Sequence, residues 1–105
     1  MADREHILFD KTEIVVFFQE GNNAQLVNLK YNDIKSITLD IHEEKKLFST
    51  KRTEKMSINN SKTPQPITLY QSKEKHWDEY KAGIRKFAHD HRITILDSLP
   101  DAPQA

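Results

Sequence analysis

The chain is predicted to be mainly β, closed by one C-terminal α-helix. Three observations predict it. Apolar residues alternate with polar ones at a period of two in short runs as far as Tyr70. Polar turn clusters separate those runs. After Ser72 the apolar period changes to 3.6 residues and holds to His91. With 105 residues the chain fits one domain and one core, and a domain of that size buries roughly two-thirds of the surface its unfolded chain exposes. Residues 1–98 are expected to form that domain and residues 99–105, "LPDAPQA", a flexible C-terminal tail.

"HILFD" and "EIVVFFQ" are β-branched and aromatic runs joined by the polar turn Asp10-Lys11-Thr12. The turn "EGNN" follows, then "AQLVNLKY", in which Leu26 and, after one change of phase, Leu29 and Tyr31 are expected to face the core. "YNDIKSITLDI" is a polar step into a long strand. Asn and Asp bond their own backbone in turns, so Ile34 is expected to swing inward before Ile37, Leu39 and Ile41 alternate with Thr38 and Asp40. An acidic turn is expected at Glu43-Glu44. "KKLFSTKR" and "EKMSINN" are weaker strand candidates, with Met56 and Ile58 alternating. "NNSKTPQP" has the residues of a hairpin loop before Ile67 and Leu69, since Pro64 and Pro66 do not belong in a central strand. The count comes to about seven short strands.

Ser72 is the expected N-cap of the helix, with Glu74 in its first turn, where the helix dipole favours negative charge. Trp77, Tyr80, Ile84, Phe87, Ala88 and His91 share one face. Gly83 sits beside that stripe and costs about 1 kcal/mol relative to Ala, which points to close packing or to simple tolerance. "ITIL" follows as a short strand or as a segment lying on the core.

Net charge is zero, but the charge is divided along the chain. Residues 1–44 carry four basic and nine acidic side chains, and residues 45–62 carry six basic side chains against Glu54 alone. Such a division can steer a partner or simply keep a sheet edge from pairing with other chains. There are no cysteines, which excludes disulfides and thiolate metal sites. No apolar run approaches the ~20 residues of a membrane span, and a soluble cytoplasmic protein is expected.

No enzyme is expected. Two distant glycines, Gly21 and Gly83, exclude glycine-rich phosphate loops as motifs. His89-Asp90-His91 does not chelate, because helix residues two apart point about 200° away from each other. His6, His42 and His76 are isolated. Glu43 and Glu44 face opposite sides of a strand or are both solvated in a turn. No catalytic residue, metal ligand or cofactor is therefore assigned.

The order of elements, with "YNDIKSITLDI" and "HWDEYKAGIRKFA", resembles the bacterial pleckstrin-homology-like domains over most of residues 6–92. The resemblance implies a barrel of about seven bent antiparallel strands capped by the amphipathic helix, with Trp77 as the helix's aromatic anchor. It also implies a non-catalytic binding scaffold. Family members that hold phosphoinositides use a basic loop between the first two strands. Here that loop carries Lys11 alone, which speaks against phosphoinositide. The expected function is protein–protein interaction, with another protein or with copies of this chain, and Lys51, Arg52 and Lys55 are the candidate partner-binding residues for an acidic surface. The alternative is weak binding of an anionic ligand, nucleic acid or acidic lipid, by the basic 45–62 segment. The neutral overall balance argues against tight phosphate-driven affinity.

Overall fold

The computed structural model describes residues 6–20 and 22–102. Seven strands and one helix follow in order: β1 (His6–Phe9), β2 (Glu13–Glu20), β3 (Asn23–Lys30), β4 (Ile34–Lys45), β5 (Thr50–Asn60), β6 (Ile67–Tyr70), α1 (Trp77–His91) and β7 (Thr94–Asp97). They form two sheets, β1-β2-β3 and β6-β5-β4-β7. The core lies between them. Ile7, Ile14, Val16 and Leu29 come from the first sheet, and Ile37, Leu39, Met56, Ile58, Ile67 and Leu69 from the second. Each such side chain contributes roughly 1.5–3 kcal/mol by leaving water. Helix α1 touches both β1 and β7 and adds Trp77, Ile84, Phe87 and Ala88 to the core.

The mainly β architecture with a C-terminal helix and seven strands agrees with the sequence. The barrel does not form. Strands β3 and β6 end their sheets with no ladder between them, and β6 is only four residues long. It follows Pro66, which has no N–H to extend its pairing. The strands are not all antiparallel either, because β7 returns from the helix to run parallel to β4.

The step at Tyr31–Asp33 is one 3₁₀ turn. The Asp33 carboxylate accepts the Lys30 N–H at 3.0 Å, and Ile34 turns inward and is buried. Lys35 is then skipped as a bulge, since Ile34 opposes Asn60 while Ser36 opposes Asn59. Strand β3 shows no change of phase. It pairs with β2 in unbroken register, so Leu29 is buried while Leu26 faces outward, 65% exposed. Tyr31 is exposed as well. Part of the "EGNN" turn, Gly21, lies outside the described residues.

Two boundaries move. Ser72 belongs to a separate 3₁₀ turn, Gln71–Lys73. Helix α1 starts at Trp77 with His76 as N-cap, whose side chain makes no capping bond, and with Asp78 and Glu79 in the first turn. At the other end Arg92 holds a left-handed conformation, φ 56°. Ile93 N–H then reaches the Ala88 carbonyl at 2.8 Å. The chain after residue 98 joins the fold over its first residues: Leu99 is buried and Asp101 pairs with two helix cations.

Candidate functional site

Glu43-Glu44 does not form a turn. Both lie in β4, which runs on to Lys45, and the chain reverses at Lys46–Ser49, where Lys46 N–H bonds the Ser49 carbonyl at 2.7 Å. Strand β6 covers β5 only over Lys55–Ile58, and β7 covers β4 only over Ser36–Leu39. Glu43–Lys45 and Thr50–Arg52 are therefore a two-stranded ribbon reaching beyond both sheets. Leu47 and Phe48 stand at its apex, 87% and 94% exposed.

The register of this ribbon answers the charge division. Lys51 opposes Glu44, Arg52 opposes Glu43 and Lys55 opposes Asp40. Directly opposed residues share a sheet face and interact, and Arg52 Nε reaches Glu43 Oε2 at 3.5 Å. Folding thus sets basic residues of β5 opposite acidic residues of β4. All three candidate residues lie on β5, and each faces a carboxylate-bearing residue. Lys51 and Arg52, adjacent in a strand, point to opposite faces.

A second polar feature, not recognised in the sequence, ties the helix to the second sheet. Lys81, 5% exposed, bonds Glu54 and Asp101, each at 2.9 Å. Arg85 meets Asp97 through Nε at 2.8 Å and Asp101 through Nη2 at 3.0 Å. Trp77 Nε1 donates to Glu54 Oε1 at 2.8 Å. Burial pulls the Lys81 ammonium down, but the hydrogen bonds to Asp101 and Glu54 outweigh it and its pKa is raised. Arg85, chiefly through Asp101, is raised as well. The Asp101 carboxyl is held far below the usual carboxylate range, first by Arg85 and then by Lys81. Trp77, Lys81 and Arg85 are four residues apart, one turn each. That spacing, with Asp97 and Asp101 four apart, was the available signal.

His91 is a packing group. His91 stacks on Tyr31 with ring centres 4.7 Å apart, touches Phe87 and lies 2.6 Å from the Lys11 carbonyl through Nε2. His89 is exposed.

A third feature is the opening where the barrel fails to close. Phe18, Gln25 and Val27 form one wall, and the Lys62–Pro66 loop with Ile67 and Thr68 forms the other. The loop wall is held by Asn60. Its Oδ1 accepts the N–H groups of Lys62 and Thr63 at 2.8 and 2.9 Å, and its Nδ2 donates to the Ile58 carbonyl at 3.1 Å. Apolar Phe18, Val27 and Ile67 line the opening together with polar Gln25, Lys62, Thr63, Gln65 and Thr68, and its margins are unpaired strand edges.

No protein-family model matches the chain, and no curated protein or solved structure matches it. Among the described residues, no helix is long and apolar enough to cross a membrane.

Proposed function

We propose that the chain is a non-catalytic, pleckstrin-homology-like binding module that docks an extended segment of a protein, another protein or a second copy, in the opening between β3 and β6. The carrying observation is that opening. It is bounded by two sheet ends that have no strand beyond them among the described residues, and Phe18, Val27 and Ile67 are among its lining residues. Strand addition takes its affinity from main-chain hydrogen bonds along such an edge and its specificity from pockets for alternate side chains. Strand β3 presents eight residues, enough for a short ladder.

The chemistry of the ion-paired cluster supports a non-enzymatic reading. Catalytic acids and bases are tuned towards neutrality, whereas Lys81 and Arg85 are driven up and Asp101 down. Those shifts fix charge rather than move protons. A cytoplasmic setting goes with this reading. Lys51, Arg52 and Lys55 are weaker docking candidates than the sequence suggested, because a partner's carboxylates would compete with Glu44, Glu43 and Asp40.

The test is affinity capture from the native organism's lysate with the wild type and with Gln25→Arg, which places a long cation in the opening. A specific protein held by the wild type and lost with Gln25→Arg is expected, with Lys51→Glu/Arg52→Glu retaining it. Retention by Gln25→Arg would remove the docking segment from this opening.

A further inference from the structure

The tip of the β4–β5 ribbon is built against the ordinary rules for a turn. Short hairpin loops favour Asn, Asp or Gly at their central positions. Here those positions hold Leu47 and Phe48, each almost fully exposed. They are not using a left-handed backbone, since Arg92 is the non-glycine residue of positive φ among those described. Single exposed apolar residues are ordinary on protein surfaces. Two adjacent large ones at the apex of a projecting ribbon are a local violation of the kind that marks functional sites. Around them stand Lys45, Lys46 and Lys51, all exposed, and no acid occurs from residue 45 to residue 51.

We infer that this tip is a lipid anchor: Leu47 and Phe48 enter the interfacial region of an anionic bilayer while Lys45 and Lys46 meet its acidic headgroups. Interfacial binding grows with buried apolar area and with attraction to anionic lipid, and lysine stems can lie along apolar surface with the ammonium in water. The geometry favours a bilayer over a nucleic-acid strand. A strand tracking the ribbon would run past Glu43 and Glu44. In the tip-first approach those carboxylates stay about 10–13 Å behind the apex at strand rise, so Lys45 and Lys46 lie nearer the headgroups than either acid. Leu47, moreover, offers no stacking face to a base. The inference goes beyond the strand-docking reading and uses a different surface, so either can fail alone.

The experiment is cosedimentation with phosphatidylcholine vesicles, with and without about 30% phosphatidylserine, whose anionic headgroups give the surface its negative potential. Binding to the serine-containing vesicles is expected, with little to phosphatidylcholine alone. Leu47→Ser/Phe48→Ser is expected to lower affinity roughly a hundredfold or more, and Lys45→Gln/Lys46→Gln about 25-fold, near fivefold per lysine. Because these side chains are exposed, near-UV circular dichroism of the buried Trp77 should be unchanged. Phe48→Trp supplies an internal probe whose emission is expected to shift to the blue on acidic vesicles. Absence of vesicle binding by the wild type overturns the inference. So does undiminished binding by Leu47→Ser/Phe48→Ser, or a Phe48→Trp emission that stays unshifted while the protein sediments. Quenching of that tryptophan by single-stranded RNA or by a protein, without a response to vesicles, would assign the tip to that other class and also overturn it.

Discussion

At residue scale the helix is fitted to its neighbours at two points. A Cβ added to Gly83 would lie 2.4 Å from the Phe9 ring, so glycine is there for close approach rather than by tolerance. Gly83→Ala gains about 1 kcal/mol of helix propensity but drives the Phe9 ring, already 38% exposed, further outward, and the two effects offset each other. A net change close to zero is expected in urea unfolding. In a Phe9→Ala background the same change should be stabilising by about 1 kcal/mol, and a gain no larger than in the wild type would mean that the contact is not the cause. At the second point, Lys81→Met leaves Glu54 and Asp101 without their shared cation and is expected to cost about 2–4 kcal/mol. The pH dependence follows from the direction of the shifts. Asp101 is depressed in the folded state, so its contribution is complete above the ordinary carboxylate value near 4 and fades as pH falls below it. Lys81 is raised, so its contribution is complete below ~10.4 and is lost as pH rises through the folded value. In Lys81→Met the acid limb should flatten in part, since Arg85 still holds Asp101; an unchanged limb would mean that Lys81 adds nothing to it.

At the scale of elements the β4–β5 hairpin decides how the charges are read. Because Lys51 and Arg52 oppose Glu44 and Glu43, reversing both bases sets like charges against each other. Lys51→Glu/Arg52→Glu is expected to lower stability by roughly 0.5–2 kcal/mol. Adding Glu43→Arg/Glu44→Lys should restore it, since the pairs are then swapped rather than broken. Failure of the four-residue exchange to restore unfolding midpoints would mean that the pairs contribute nothing. This pairing was not legible in the sequence. The turn residues at the apex are Leu47 and Phe48, so the one acidic pair nearby, Glu43-Glu44, looked like the turn. The helix was read well, because Trp77, Tyr80, Ile84, Phe87 and Ala88 are an uninterrupted apolar face. Its start was not, because His76 caps without a side-chain bond while Ser72, a residue of capping type, lies inside a separate 3₁₀ turn.

For the whole molecule, β-branched, aromatic and period-two runs located six of the seven strands and left β7 as a choice between strand and packed segment, while "KKLFSTKR", expected as a strand of its own, is the last residue of β4, the turn and the first residues of β5. Local pattern carries no information on which edges meet. Closure of the sheets depends on long-range pairing between β3 and β6, and it is absent. The opening thus left was invisible from residues 18, 25, 27 and 62–68 read singly. The ion-paired cluster was hidden for a similar reason, since Glu54, Lys81, Arg85, Asp97 and Asp101 come from β5, α1, β7 and the segment beyond. The strand-docking claim is tested most directly by a photo-crosslinking residue at Gln25, inside the opening, compared with one at Asp78 on the exposed face of α1. Irradiation in native cells is expected to give a discrete protein adduct from position 25 and none from position 78. Equal labelling from both positions, or no adduct from position 25, would contradict the account.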